Sequence, residues 1–222
     1  MSVRILDERP LGVQTMLGTV LFVDLRGYTT LAEGLRPDVV AILLEEFFAT
    51  LTPAVERHGG TVFHLAGDSL MAGFGLDEAG VGPVRAALKA SRAMIAAFQP
   101  VSTRWEHHYA VPTGIGIGVH VGSLAFVTLG PPSLRRATLV GDTVNVAARL
   151  CQRARAGEVL FSDGVARSLE PSAATDIIPL PPLALRGRAS PVAIYCVPAL
   201  ERASVPAPAE DHASAERPLR GA

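Results

Sequence analysis

The stretch GGTVFHLAGDSLMAGFG, residues 59–75, predicts two short strands joined by a tight turn. Its apolar and β-branched residues flank the turn at residues 66–69, where Gly67 allows the chain to reverse sharply. The glycine pair at the start of the stretch is expected to end a preceding helix. The hairpin is therefore expected to present the carboxylate of Asp68 at its tip.

A second carboxylate, Asp24, closes the apolar run TVLFV at residues 19–23, which is typical of a buried central strand. Carboxylates are hard oxygen ligands of the kind that Mg²⁺ prefers, and two such ions can activate an attacking oxygen and neutralise phosphate charge. Asp24 and Asp68 therefore form a candidate metal pair. The alternative is that Asp24 merely ends a strand and Asp68 merely fills a turn.

A third segment, GDTVNVAARL at residues 141–150, predicts a helix that Asp142 can cap. Asn145 and Arg149 are four residues apart, so they lie on one face of that helix. An amide and a guanidinium suit an anion, and together with a metal pair they indicate phosphoryl or nucleotidyl chemistry. The alternative is a surface asparagine and an arginine in an ordinary salt bridge.

The remaining patterns alternate between helix and strand. Apolar spacing predicts a helix over residues 37–58, which Pro53 is expected to kink or break, and another over residues 83–98. Residues 114–122 alternate glycine with apolar residues, as in a strand that another backbone approaches closely. Further strands are predicted at residues 123–129, 137–140, 158–162 and 191–197.

Composition predicts one globular domain followed by a tail, since 49% of the 222 residues are hydrophobic and 18% are charged. A formal net charge of −1 without a basic run gives no indication of a nucleic-acid partner. The apolar stretches are too short for a membrane span and the first residues lack a signal-peptide core, so a cytoplasmic protein is expected. Cys151 and Cys196 are expected to be reduced, buried thiols.

The chain resembles the class III nucleotide cyclase catalytic domain over about residues 17–197. The resemblance rests on FVDLRGYT (22–29), the hairpin stretch and VGDTVNVAARL (140–150), in this order and spacing. It implies an α/β fold of the class III cyclase type, a sandwich on a ferredoxin-like core, whereas the patterns alone support only α+β or α/β. The implied organisation is a lead-in segment (1–16), the catalytic domain (17–200) and a disordered Ala/Pro-rich tail (201–222).

The resemblance also implies a reaction. An adenylate cyclase of this family converts ATP to 3′,5′-cyclic AMP and pyrophosphate, as the ribose 3′ oxygen attacks the α-phosphorus. Two ions, Mg²⁺ or Mn²⁺, would be held by Asp24, Asp68 and the backbone carbonyl of Leu25. Asn145 would orient the ribose, and Arg149 would stabilise the negative charge that grows on the phosphoryl oxygens.

Two segments are candidates for contact with the triphosphate. Gly27 allows a tight path, and the amides of Tyr28 and Thr29 can then point at the phosphates; the alternative is an N-cap at Thr29 or the next residue of a short helix. The family often places a basic residue at the position of the turn 186–188. Arg188 is the candidate there, although either arginine of the turn could reach and a plain solvated turn is the alternative.

The base-recognition positions depart from the family's common pattern. In adenylate-specific members the residue four before the turn aspartate is lysine, and guanylate-specific members carry an acidic residue; this chain has His64. A neutral imidazole is shorter than lysine and has no fixed charge, so purine recognition is expected to be weaker or relaxed. The second position is usually aspartate and in some members threonine, here Thr138. The alternative for His64 is a strand histidine that does not touch the substrate.

The resemblance implies a homodimer. In the family the metal aspartates of one protomer face the asparagine and arginine of the other, and this chain carries both sets, which gives two equivalent composite sites. Three hypotheses follow: an adenylate cyclase, a regulatory module that binds nucleotide but turns over poorly, and a cyclase with relaxed purine or GTP specificity. The sequence does not identify a regulatory partner.

Overall fold

The computed structural model describes residues 13–76, 81–169, 177–184 and 190–198. The predicted tail lies outside these residues, as does the basic turn with Arg188, so both remain predictions. The lead-in segment lies outside them up to residue 12. Residues 14–16 belong to the first strand rather than to a separate segment.

Eight strands and five α-helices make up most of the described ranges. In chain order they are β1 (Gln14–Arg26), α1 (Tyr28–Gly34), α2 (Pro37–Arg57), β2 (Gly60–Ala66), β3 (Ser69–Phe74), α3 (Val81–Tyr109), β4 (Gly114–Leu129), β5 (Arg136–Val140), α4 (Asp142–Arg153), β6 (Glu158–Ser162), α5 (Asp163–Arg167), β7 (Ile178–Leu183) and β8 (Val192–Pro198).

The described strands form one sheet in the order β2-β3-β1-β4-β6-β8-β7, and β5 pairs with β4 off this path. Paired strands are antiparallel except β4 and β6, which are parallel. The order β2-β3-β1-β4 with helices in the two crossovers is that of a ferredoxin-like βαββαβ unit. The α/β sandwich on a ferredoxin-like core that the family resemblance implied is therefore confirmed.

Helices cover both faces of this sheet. α2 and α3 pack on one face, where the rings of Phe47 and Phe98 meet edge to face with centroids 5.5 Å apart and Leu21 of β1 contributes to the same core. Successive residues of a strand point to opposite faces. Val20 accordingly belongs to a second cluster that includes Ala147 of α4, so α4 lies on the opposite face from α2 and α3.

The glycines of β4 lie on the face that contacts α4. Gly114, Gly116 and Gly118 alternate with apolar residues that point into the other core. A Cβ at Gly118 would overlap the backbone nitrogen of Cys151 and the carbonyl oxygen of Ala147. The predicted close approach of another backbone is thus confirmed, and the approaching element is α4.

The strands predicted separately at residues 114–122 and 123–129 are one continuous strand, β4. β1 pairs with β4 along its whole length, from Gln14 to Arg26, so the ladder of hydrogen bonds carries β4 through the predicted break. The strand predicted at residues 19–23 is likewise the centre of the longer β1. Neighbouring strands, rather than local composition, set these lengths.

α2 spans the predicted residues to within one position, and Pro53 does not break it. Leu51 and Val55, on either side of this proline, are fully buried. Tertiary packing therefore maintains the helix where local propensity disfavours it.

α3 is longer than the helix predicted at residues 83–98, because it continues past Pro100 to Tyr109. Val101 and Trp105 extend the buried face of α3 at helical spacing, which accounts for the continuation. No helix within the described ranges, α3 included, combines the length and the apolar character that a membrane crossing needs.

Both cysteines are free and buried, as predicted: Cys151 in α4 and Cys196 in β8. Burial, with a smaller contribution from the charge of Asp24, raises the pKa of the Cys151 thiol to about 12. Burial raises the pKa of Cys196 to about 11. Both thiols are therefore protonated, and unreactive, near neutral pH.

Substitution of Gly118 tests the contact between α4 and β4. Gly118→Ala is expected to lower the free energy of unfolding by at least about 2 kcal/mol, because the added Cβ would force α4 away from the strand. Gly34→Ala is the matched control, since no atom lies within 4 Å of the position its Cβ would take. Chemical denaturation measures both, and equal stabilities would contradict the close packing.

Candidate active site

The candidate metal pair lies where β1 and the β2–β3 hairpin end side by side. Asp24 is opposite Ser69 in the register of β1 with β3, and the N–H of Leu25 donates to the carbonyl of Asp68 at 3.1 Å. Gly67 has the positive φ, 55°, that the tight turn requires. The fold thus brings together the two aspartates that the sequence singled out, although α1 and α2 separate them in the chain.

The surroundings of Asp24 disfavour its charge. Burial raises the pKa of Asp24 above its ordinary value, the charge of Asp68 raises it further, and Arg26 opposes both effects. Both aspartates are half-buried. A bound cation would offset the repulsion between them, so the electrostatics of the pair suit a metal site.

The donor set fits a hard cation. Among the described residues, no cluster of three or more His, Cys, Asp or Glu side chains could hold a metal. Two carboxylates without thiolate or imidazole partners favour Mg²⁺ or Mn²⁺ over zinc. The third predicted ligand, the carbonyl of Leu25, follows Asp24 directly in β1 and remains a prediction.

Arg26 is a site residue that the sequence analysis missed. Its Nη1 donates to Oδ2 of Asp24, its Nε donates to the carbonyl of Ala154 at 2.9 Å, and its Nη2 donates to the carbonyl of Cys151. The two carbonyls belong to the C-terminal end of α4. The spacing of the two residues in the sequence could have indicated this contact. Residues two apart in a strand share a face, so Arg26 lies on the same side of β1 as Asp24.

The chain turns sharply after β1. Gly27 has φ of 87° and is the N-cap of α1, and a Cβ there would overlap the carbonyl oxygen of Pro112. The alternative N-cap at Thr29 or the next residue is therefore wrong. The first N–H groups of a helix have no intrahelical acceptor, so those of Tyr28 and Thr29 are suited to bind phosphate oxygens. Tyr28 packs against the core, and Thr29 is exposed.

α4 forms as predicted and exposes Asn145 and Arg149 on one face. Val146 and Leu150 are buried on the other face. Nη1 of Arg149 donates to Oε1 of Gln152 at 3.3 Å. This partner is a neutral side chain of the same helix, rather than the carboxylate of the ordinary salt bridge that was the alternative.

Asp142 begins α4 but does not cap it, contrary to the prediction. The N-cap is Gly141, and no side-chain hydrogen bond caps the helix. Thr143 instead fixes the first turn on β4, because its Oγ1 donates to the carbonyl of Ser123 at 2.6 Å. A carboxylate at the first helical position still favours the helix through its dipole.

The two base-recognition candidates lie on β2 and β5, which pair with β3 and β4 and not with each other. His64 is exposed on β2, next to an irregularity in the pairing with β3. Thr138 is half-buried on β5, opposite Val127 of β4. β2 and β5 contact each other, and the rings of Phe63 and Phe126 meet with centroids 5.8 Å apart in this region. The fold thus places the two candidates in one region of the molecule.

Comparison with known proteins gives one family. The model of the adenylate and guanylate cyclase catalytic domain matches residues 15–198. An adenylate cyclase of Anabaena cylindrica is 30% identical over 161 residues, covering 68% of this chain and 30% of that protein. The adenylyl cyclase CyaB of P. aeruginosa has a solved structure with a TM-score of 0.79 and 27% identity, covering 86% of this chain and 98% of that chain.

A guanylyl cyclase, Cya2, also has this fold, with a TM-score of 0.76 and 24% identity over 87% of this chain and 97% of that chain. The class III cyclase fold is therefore shared by an adenylyl and a guanylyl enzyme, and the fold does not identify the base. The present chain spans less than a third of the length of the Anabaena protein.

Asp68→Asn tests the metal pair. An acid whose folded-state pKa is raised contributes stability at low pH that is lost as the pH rises through that pKa, so ionised Asp24 destabilises the metal-free fold near neutral pH. Removal of the Asp68 charge should therefore raise the metal-free melting temperature at pH 7, by about 2 °C, and abolish the rise that Mn²⁺ produces. Differential scanning fluorimetry with Mn²⁺ and with EDTA measures both effects.

Asp38→Asn is the matched control for this experiment, because Asp38 lies on the surface of α2 and pairs with Arg36. This variant should keep the full response to Mn²⁺. An undiminished Mn²⁺ response in Asp68→Asn would contradict a metal site at Asp24 and Asp68.

Proposed function

Since the chain belongs to the adenylate and guanylate cyclase catalytic domain family, we propose that it converts ATP to 3′,5′-cyclic AMP and pyrophosphate. In this reaction the ribose 3′ oxygen attacks the α-phosphorus and pyrophosphate leaves. The observation that carries the proposal is the pairing of Asp24 and Asp68 at the junction of β1 and the hairpin, with mutual repulsion that a cation would relieve.

Asp24, Asp68 and the carbonyl of Leu25 are the groups that would hold two Mg²⁺ or Mn²⁺ ions. When bound, the ions would supply Lewis-acid activation of the 3′ oxygen and neutralisation of phosphate charge. The residues themselves fix where that chemistry takes place. Because β1 is a central strand paired on both sides, the carboxylate of Asp24 is carried on rigid backbone.

The amides of Tyr28 and Thr29, after the turn at Gly27, would bind the triphosphate. Their position immediately after β1, the strand that carries Asp24, supports this role. The positive end of the α1 dipole also favours an anion there. Arg188, which lies outside the described residues, would add a cation that reaches the triphosphate. The triphosphate would therefore be held next to Asp24 with its α-phosphorus accessible.

Arg149 and Asn145 are proposed to act on the nucleotide held by a partner protomer. Both side chains are exposed, as groups that complete a site in another subunit must be. The guanidinium of Arg149 would stabilise the charge that develops on the α-phosphoryl oxygens, and the amide of Asn145 would orient the ribose. One chain would then supply the metal half of one site and the transition-state half of the other.

Exposed apolar side chains support a homodimer. Leu65 at the end of β2 is 48% exposed, Leu129 at the end of β4 is 53% exposed, and Leu134 in the β4–β5 connection is 64% exposed. Large apolar side chains exposed at the ends of hairpins are favourable contacts for a second copy. Leu65 lies on β2 next to His64, and Leu129 and Leu134 precede β5, which carries Thr138.

His64 and Thr138 are proposed to contact the purine. Thr138 occurs at this position in some family members, but His64 replaces the usual lysine, which supports two alternatives. One is a cyclase with relaxed purine or GTP specificity, and the other is a nucleotide-binding regulatory module with poor turnover. ATP is preferred as the substrate because His64 is not the acidic residue of the guanylate-specific pattern.

Product formation tests the proposed function. The purified dimer should form cyclic AMP from ATP with Mg²⁺ or Mn²⁺, at a rate that exceeds its rate with GTP, and Asp24→Ala should form none because it lacks a metal ligand. Chromatography of the nucleotide products measures this. Formation of cyclic GMP from GTP in excess of cyclic AMP from ATP would support relaxed specificity, and no product from a dimer that binds nucleotide would support the regulatory module.

His64→Lys tests the base pocket. A lysine ammonium adds a fixed cationic donor, so kcat/KM for ATP is expected to rise about tenfold, with a smaller change for GTP. His107→Lys, on the exposed end of α3, adds the same charge away from the site and should leave both values unchanged. An unchanged kcat/KM for ATP in His64→Lys would indicate that residue 64 does not contact the base.

A further inference from the structure

Arg26 joins two elements that carry different halves of the proposed chemistry. One of its nitrogens donates to the carboxylate of Asp24, and the other two donate to the carbonyls of Ala154 and Cys151 at the end of α4. A simple ion pair with Asp24 would use one edge of the guanidinium. Here all three nitrogens of the planar group have acceptors, which is a geometry that arginine provides and lysine does not.

A glycine of the neighbouring strand β4 leaves room for the guanidinium of Arg26. Gly116 of β4 is opposite Asp24 in the register with β1. A Cβ at Gly116 would lie 2.6 Å from Nη2 and 2.8 Å from Nε of Arg26, and 2.8 Å from the carbonyl oxygen of Ala154. The guanidinium therefore lies against the backbone of Gly116, between the end of α4 and β1.

The C-terminal end of α4 is a favourable place for the positive charge of Arg26. The last carbonyls of a helix have no intrahelical donor and carry the negative end of the helix dipole. Arg26 donates to the carbonyls of Ala154 and Cys151, the second of which also accepts from the N–H of Ala154 at 3.1 Å, and it neutralises Asp24 as well. Arg149, which the proposed function places in the partner's site, is only two residues before Cys151, or about 3 Å along the helix axis.

We propose that Arg26 is a positioning residue that sets the carboxylate of Asp24 and the C-terminal end of α4 relative to each other. The metal half of one composite site and the transition-state half of the other are then built on one rigid unit within each chain. This inference rests on the proposed function for the roles of Asp24 and Arg149. The contact itself is a property of the fold and can be tested without turnover.

Two variants separate geometry from charge. Arg26→Lys keeps the positive charge but cannot reach three acceptors, and Arg26→Gln removes the charge as well. Arg36→Gln is the matched control, because Arg36 is an exposed arginine that pairs with Asp38 on α2. Each variant would be compared with wild type in melting temperature, so that a general loss of folding is detected.

The first readout is the rate at which each cysteine of the native protein reacts with a thiol reagent, resolved by peptide mass spectrometry. Cys151 is buried in α4, and its Sγ donates to the carbonyl of Gly116, so it reports on the end of α4 that Arg26 holds. Both Arg26 variants are expected to raise its labelling rate about tenfold. Cys196, in β8, is the internal control and should label at the wild-type rate.

The second readout is the Mn²⁺ concentration that gives half of the maximal thermal shift. Loss of a residue that orients a metal ligand commonly weakens metal binding, and Arg26→Lys is expected to raise this concentration about tenfold. In turnover, the same variant should lower kcat with little change in the KM for ATP, because the misplaced groups act in the transition state. Arg36→Gln should match wild type in every measurement.

Each result decides the proposal. Wild-type labelling of Cys151 in both Arg26 variants would overturn it, since α4 would then be held without Arg26. Faster labelling with an unchanged Mn²⁺ response would also overturn it, because Arg26 would then serve only as a helix cap. A wild-type chain without any Mn²⁺ response would count against the proposed function instead, and Cys151 labelling would still decide whether Arg26 fixes α4.

Discussion

The contact between the backbones of α4 and β4 is the constraint on which the rest of the site depends. Gly118 permits it, because any side chain there would occupy the space of Cys151 and Ala147. Thr143 holds the first turn of the helix to the strand through the carbonyl of Ser123. With both ends of α4 fixed on a central strand, its outward face presents Asn145 and Arg149 in a defined direction while its inner face fills the core.

The same close approach brings α4 next to β1, the strand that carries Asp24. β1 is paired with β4 along its length, so Asp24 lies beside the bare backbone at Gly116 and Arg26 can reach the end of the helix. Burial and Asp68 disfavour the charge of Asp24, and Arg26 opposes them. The aspartate pair therefore lowers the stability of the metal-free fold, and a bound cation would restore it. The packing of α4 on the glycines of β4 and the aromatic core around Phe47 stabilise the fold elsewhere.

Much of this arrangement could be predicted from the sequence, where the determining pattern is local. The hairpin of residues 59–75, the helix with Asn145 and Arg149, and the glycine face of β4 each follow from turn chemistry or periodicity. The length of α3 and the continuity of β4 could not, because long-range packing and pairing override local signals. The role of Arg26 was not predicted for the same reason. Its acceptors at Ala154 and Cys151 are distant in sequence, and only the fold brings them into contact with it. Asp24 and Asp68 were paired from the ligand chemistry of their carboxylates, and the family resemblance implied that they share the ions. Hydrogen bonding between β1 and the hairpin accounts for their meeting.

The central claim is that each chain supplies half of two composite sites. The direct test is cyclic-nucleotide formation by an equimolar, co-refolded mixture of Asp24→Ala and Arg149→Ala chains. Each variant alone should be inactive, and the mixture should recover about a quarter of wild-type turnover, because half of the dimers are mixed and each mixed dimer has one complete site of two. A mixture as inactive as its separate components, while wild type is active, would contradict the composite site.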